Sequence, residues 1–258
     1  MKKLVLLALL VSVTSSLAYA DNGCGGTQGV SCNSFYNRLD AFKVLSEIEN
    51  SKKDAEQNLA IVEAAQKRYN LNLRYVVDNF VQLQQALGGG AGTKQTRSAF
   101  NLILQALHGS RTLDMLVTNY IELVKAENSK DNAALNFIVV ENKVSSSSAS
   151  FSQATQFFNS LLQLLGSNHS NYARDVFSRA MFVSNTYSLT ELYNSFKLLL
   201  NAENSIENAI GNFDLVLRGA DRCGDLTKAT LDFLQVLQQY GDTQTKEARN
   251  MFIRLYEI

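Results

Sequence analysis

Three glutamates are the first candidates for a chemical role. Each stands in the same Glu-Asn-Ser context, at Glu49, Glu127 and Glu203. They are separated by 78 and 76 residues (127 − 49 and 203 − 127). On a helix that turns about 100° per residue, each carboxylate shares a stripe with the apolar residues four and seven positions earlier. Those residues are Phe42 and Leu45, Tyr120 and Leu123, and Phe196 and Leu199. A carboxylate on an apolar face must either serve as an acid or find a partner, since an unpaired buried charge is costly.

A second motif, Arg-x-x-Phe, recurs with nearly the same period and supplies the only cation that repeats in step. A planar guanidinium suits bidentate pairing with a carboxylate. The sequence therefore predicts ion pairs, within or between units, that join the three glutamates to the three arginines. The predicted pairs are Glu49, Glu127 and Glu203 with Arg97, Arg174 and Arg249.

Further residues keep the same spacing, which indicates an internal repeat. They are Ala55, Ala133 and Ala209; Asn58, Asn136 and Asn212; Phe80, Phe158 and Phe233; and Gly88, Gly166 and Gly241. Self-similarity at a fixed period is typical of repeat architectures. The sequence predicts three copies of a unit of about 77 residues, over 34–110, 111–187 and 188–258.

Each unit is predicted to hold three helices, and the absence of proline is compatible with long ones. The predicted helices are A (34–68, 111–144, 188–219), B (72–87, 150–165, 225–240) and C (94–108, 170–184, 243–257). Capping boxes at Ser188–Glu191 and Ser150–Gln153, and Asp225 as a cap, mark helix starts. Beyond each Glu-Asn-Ser the apolar stripe changes sides, so helix A either bends there or packs its halves on different neighbours. Small Ser and Ala side chains on that face would let a helix approach closely, and the Asn amide would satisfy polar groups at the crossing.

Other candidate chemistry is weak. Glu followed by Ser on a helix resembles the acid-bearing helix of lysozyme-like lytic transglycosylases, but the surrounding Gly-rich substrate motif is missing. The stretch "GGGAGTKQT" at 88–96 departs from a P-loop, because Thr93 separates Gly92 from Lys94, and it is predicted to be a flexible loop. His108 and His169 have no partners at metal-ligand spacing and are interpreted as surface or capping residues. No catalytic residue, cofactor or metal site is predicted.

The N-terminus predicts export. Two lysines, an apolar run and "LAYA" ending at Ala20 are typical of a signal peptide over 1–20, followed by a Gly-rich segment over 21–33. No later segment is apolar enough to predict a membrane span.

In an oxidising compartment two of the three cysteines should pair. The flexible stretch between Cys24 and Cys32 favours that disulfide, which leaves Cys223 free or intermolecular.

The distribution of charge limits the kinds of partner that the protein could bind. Twenty-four basic and twenty-four acidic residues are spread along the chain without blocks, which argues against a nucleic-acid partner.

The predicted fold is all-α, three tandem three-helix repeats in a short solenoid or elongated bundle. The expected function is a periplasmic or secreted, non-enzymatic protein that binds a protein or peptide partner or acts as a scaffold. The alternatives are a carrier of an apolar ligand between helices, with a large apolar cavity, and a glycan-cleaving enzyme with one Glu in a polar cleft.

Overall fold

The computed structural model describes residues 36–127, 129–241 and 244–258, and within these ranges the chain is helical without any strand. Twelve α-helices and two short 3-10 helices are described, so the all-helical fold is confirmed, although the sequence predicts three helices in each of three units. The α-helices are α1 (Arg38–Ile48), α2 (Lys52–Tyr69), α3 (Leu73–Ala86), α4 (Thr93–Gln105), α5 (Leu113–Ala126), α6 (Lys130–Val144), α7 (Phe151–Leu165), α8 (Ser170–Val183), α9 (Leu189–Ala202), α10 (Ile206–Cys223), α11 (Leu226–Tyr240) and α12 (Thr245–Tyr256). The 3-10 helices are Gly89–Gly92 and Ser167–His169.

The N-terminal predictions fall on another part of the chain. The signal peptide, the Gly-rich segment and the Cys24–Cys32 disulfide lie outside the described residues. Cys223, at the end of α10, is an exposed free thiol.

Each predicted helix A is interrupted at its Glu-Asn-Ser, a point that the sequence left open. Glu49, Glu127 and Glu203 leave the helix in extended conformation, with φ/ψ of −99°/153°, −102°/152° and −106°/155°. The following serine then caps a new helix through its side chain. Ser51, for example, accepts a hydrogen bond from the backbone N–H of Asp54 at 3.1 Å. Each predicted helix A is therefore a pair of helices, which is why the apolar stripe changes sides there.

The predicted helix starts are confirmed where a side chain caps the helix. Ser150 and Ser188 form capping boxes with Gln153 and Glu191, and Asp225 accepts from the backbone N–H of Lys228 at 2.9 Å. The Gly-rich stretch, predicted to be a flexible loop, is instead the 3-10 helix Gly89–Gly92 running into α4. Gly88 before it adopts the left-handed conformation, with φ of 102°, that glycine tolerates best.

The helices pack in two layers. Each helix contacts the next helix along the chain and also the next but one. Odd-numbered helices thus lie side by side in one layer and even-numbered helices in the other. The connection between α1 and α2, at Asn50, contacts the Gly-rich stretch between α3 and α4. A Cβ added to Gly90 would lie 2.8 Å from Asn50 Cγ. The connections after α1 and α3 therefore share one end of the layers.

Phenylalanine fills the interior between the layers. Nine phenylalanine side chains of the described residues are completely buried: Phe80, Phe100, Phe137, Phe158, Phe177, Phe196, Phe213, Phe233 and Phe252. The phenylalanine of each Arg-x-x-Phe motif packs edge-on against the phenylalanine of the preceding helix. Ring centroids lie 5.1 Å apart for Phe80–Phe100, 5.3 Å for Phe158–Phe177 and 5.2 Å for Phe233–Phe252. Edge-to-face pairs at this separation add stability beyond the buried area itself.

Candidate functional site

Each glutamate of the Glu-Asn-Ser context accepts a hydrogen bond from the asparagine nine residues later. The Nδ2 groups of Asn58, Asn136 and Asn212 donate to Oε1 of Glu49, Glu127 and Glu203. All three asparagines are completely buried, near the start of α2, α6 and α10. A buried amide has to bond on both its sides, because an unsatisfied donor or acceptor is costly.

The oxygen side of each amide meets the predicted arginine. Asn58 Oδ1 accepts from Arg97 Nε, Asn136 Oδ1 from Arg174 Nη1, and Asn212 Oδ1 from Arg249 Nε, each at 2.7 Å. We call this arrangement of carboxylate, amide and guanidinium the Glu–Asn–Arg joint. It corrects the predicted direct pairing. The amide lies between the two charges, and none of the ion pairs formed by described residues joins these glutamates to these arginines.

A hydroxyl group completes each joint. Thr93 Oγ1 donates to Glu49 Oε2 at 2.6 Å, and Ser170 Oγ donates to both oxygens of Glu127 at 2.6 and 2.8 Å. Thr245 Oγ1 lies 3.0 and 3.2 Å from the oxygens of Glu203. These hydroxyl residues open α4, α8 and α12, where no side chain caps the helix. The carboxylate therefore stands at a helix N-terminus, where negative charge is favoured.

The sequence contains the signal for this hydroxyl group, although the period alone did not single it out. Thr93, Ser170 and Thr245 each precede the repeated arginine by four residues. Positions i and i+4 lie on one face of a helix, so the hydroxyl and the guanidinium point to the same joint. A hydroxyl side chain recurs at this position, although the residue is threonine in two units and serine in the other.

The carboxylate oxygens in the joints accept hydrogen bonds from neighbouring side chains. Glu127 is 8% exposed, and its two oxygens are occupied by donors from Asn136 and Ser170. Glu49 and Glu203 have the same kinds of partner and are partly buried. Such an arrangement holds two helical hairpins together and orients the helix that follows.

Two of the arginines, Arg97 and Arg249, also hydrogen-bond to the first turn of the neighbouring helix. Arg97 Nη2 donates to the carbonyl and the carboxylate of Asp54 at 3.0 and 2.8 Å. Arg249 Nη2 donates to the carbonyl of Asn208 at 3.0 Å. The hydrogen bonds from Ser51 and then Arg97 lower the pKa of the Asp54 carboxyl. The guanidinium thus bridges α4 to α2 and α12 to α10.

The remaining sequence candidates have ordinary roles. His108 Nε2 lies 3.2 Å from Glu141 on the surface, and His169 Nδ1 donates to the carbonyl of Leu165 at 2.8 Å. Among described residues there is no cluster of His, Cys, Asp and Glu fit to hold a metal ion. None of the helices described is long and apolar enough to cross a bilayer.

A surface groove contains Phe182, the most exposed large apolar side chain among the described residues. Phe182, in the last turn of α8, is 86% exposed. It borders a groove of about 800 Å³ between α8 and α10, together with Val183, Tyr187, Leu217 and Ile258. Paired charges line the rim, where Arg179 contacts Asp175 at 3.0 Å and Asp214 at 2.8 Å. We call this the Phe182 groove; no pattern in the sequence marked it.

Tyr120 gives the core a measurable pH dependence. Burial, and then the charge of Asp131, raise the pKa of Tyr120 from 10.0 to about 12. A raised pKa in the folded state stabilises the protein below pH 10, and this contribution is lost as the pH rises toward 12. Two pKa units correspond to about 2–3 kcal/mol. Tyr120→Phe should therefore reduce the alkaline loss of stability by about that amount in urea titrations from neutral to alkaline pH.

Equal slopes for wild type and Tyr120→Phe would show that Tyr120 does not couple ionisation to folding.

Comparison with protein-family models, with curated proteins and with solved structures returns no match.

Proposed function

We propose that the chain is an exported, non-enzymatic helical-repeat protein that binds a protein or peptide partner through the Phe182 groove. In this proposal it consists of three copies of a four-helix unit, α1–α4, α5–α8 and α9–α12, stacked as a short solenoid. Three equivalent Glu–Asn–Arg joints, one in each unit, support the repeat. The carboxylates then serve as structural partners, which favours a binding protein over a glycan-cleaving enzyme.

The exposure of Phe182 is the observation that carries the binding role. In the proposed register Phe182 corresponds to Gln105 and Glu257, which are polar. The repeat therefore has no structural need for an aromatic residue there. A large exposed apolar side chain in an apolar groove with a polar rim is typical of a protein interaction site. Aromatic residues of this kind dominate binding energies.

The filled core favours this proposal over a carrier of an apolar ligand between helices. The phenylalanine pairs occupy the space between the layers, and the groove at Phe182 opens to solvent. A partner with an apolar anchor side chain and flanking charges would suit the groove, because both signs of charge line its rim. A carrier would instead copurify with an apolar small molecule, visible by native mass spectrometry.

Site-specific crosslinking tests the proposed groove. A photoreactive benzoylphenylalanine at position 182, in cells that make the protein, should give one adduct to a defined protein. The same probe at Leu198, a 45% exposed residue of α9, is the matched control and should not give that adduct. With the purified partner, Phe182→Glu should weaken binding about tenfold or more, as for an interface hot spot, and Leu198→Glu should not. Equal adducts at both positions, or equal affinities, would contradict the proposal.

A further inference from the structure

The C-terminal end of the helix stack carries an open groove of about 730 Å³ between α11 and α12. Val236, Met251 and Leu255 supply its apolar lining. Lys228 and Asp232 lie in the same groove as an ion pair, so they bring little net charge to it. This end groove is distinct from the Phe182 groove, which lies between α8 and α10.

In the proposed repeat register, the counterparts of Leu255 are covered in the other two units. Leu255 is 56% exposed, whereas its counterparts Ile103 and Ala180 are completely buried. The reason is packing order: α4 contacts α5 and α6, and α8 contacts α9 and α10. Among the described residues, no helix after α12 covers Leu255 in that way. Within the molecule, the element that covers such a groove is the first helix pair of the next unit.

The opposite end of the stack carries the complementary surface. Leu39 of α1 is 59% exposed, whereas its counterpart Val117 in α5 is completely buried and its counterpart Tyr193 in α9 is partly buried. Phe42 is only partly buried, but its counterparts Tyr120 and Phe196 are buried. Helix α1 therefore presents apolar positions whose counterparts in α5 and α9 are more buried.

We propose that a second copy of this chain docks its α1–α2 pair into the α11–α12 groove, so that molecules associate head to tail. The proposal extends the repeat across two molecules and rests on the repeat architecture, but not on a partner at the Phe182 groove. Such an interface is heterologous, and it leaves a free end on each molecule that can add another copy.

Polar contacts at the internal junctions have matching residues at the two ends. Tyr172 of α8 donates a hydrogen bond to Glu207 of α10. The corresponding end residues are Glu247 of α12 and Lys53 of α2, which are exposed and oppositely charged. Lys130 of α6 donates to the carbonyl of Leu87 at the end of α3.

The two ends also carry residues at the positions of the Lys130–Leu87 contact. The counterparts of Lys130 and Leu87 are Lys52 and Tyr240. The second copy can therefore reproduce both contacts, with an ion pair in place of the Tyr172 bond.

Sedimentation velocity of the purified protein over a concentration series tests the interface. Wild type should show mass-action growth beyond the monomer. Leu255→Glu and Leu39→Glu should each raise the dissociation constant at least about tenfold, because each buries a charge in the apolar contact. Leu198→Glu is the control and should associate as the wild type does, since the corresponding residue of α5 is already Glu122. Circular dichroism verifies that each variant is folded.

A charge exchange then fixes the orientation of the two copies. Lys53→Glu and Glu247→Lys should each weaken association, and the double variant should restore it, because only the head-to-tail arrangement brings these residues together. A wild type that stays monomeric at every concentration would overturn the proposal. Association that Phe182→Glu abolishes and Leu255→Glu leaves unchanged would overturn it too, and would place self-association at the Phe182 groove.

Discussion

Replacing Asn136 with leucine is expected to lower the free energy of unfolding by about 3–5 kcal/mol, as when one partner of a buried charged network is removed. Asn136 is completely buried and joins Glu127 to Arg174 through the two sides of its amide. Leucine has a similar volume but can neither donate to the carboxylate nor accept from the guanidinium. Both charged groups would then lose a partner inside the protein. Unfolding in guanidinium chloride, followed by circular dichroism, measures the loss of free energy.

The matched control is Asn194→Leu, an exposed position within α9. Its effect should stay within about 0.5 kcal/mol, as is usual for surface positions. If the two variants lose similar stability, Asn136 does not hold a buried network, and the Glu–Asn–Arg joint is incidental to folding.

Replacing Phe177 with alanine is the second large effect, expected to cost about 3–5 kcal/mol. Phe177 is completely buried and contacts two aromatic rings of α7, Phe158 at 5.3 Å and Phe157 at 5.8 Å. Truncation removes the edge-to-face contact and leaves a cavity that the packed layers can only partly close. The same titration measures the loss.

The chain supplies a control on the same helix. Phe182 lies five residues further along α8 and is 86% exposed. Phe182→Ala should change the free energy of unfolding by less than about 0.5 kcal/mol. A large loss at position 182, or a small one at 177, would contradict the assignment of these residues to groove and core.

The helical content and the recurring residues could be predicted because both depend on local spacing. Apolar residues repeat with the helical period, and side chains such as Ser150, Ser188 and Asp225 cap helix starts through short-range hydrogen bonds. The same local logic could have placed the helix breaks. Ser51, Ser129 and Ser205 are helix caps, but each follows an apolar stripe without glycine or proline, so a continuous helix was the simpler prediction.

The joint itself depends on contacts that sequence spacing does not encode. Glu49 and Arg97 were expected to pair because they are the charges that repeat, and the charges do meet at one site. Which group stands between them depends on how α1, α2 and α4 cross, and Asn58 lies at that crossing. The sequence predicted a bridging role for the amide without naming its partners. The counterparts of Phe182 in the other units, Gln105 and Glu257, are not aromatic, so no repeat pattern could mark Phe182.

The most direct measurement of the joint compares the unfolding free energies of Asn58→Leu, Asn136→Leu and Asn212→Leu in identical buffer. If all three joints are structural, each substitution destabilises the protein by several times the effect of Asn194→Leu. If any one of the three asparagines tolerates leucine without loss, its glutamate is held in place for another purpose, and the three sites are not equivalent.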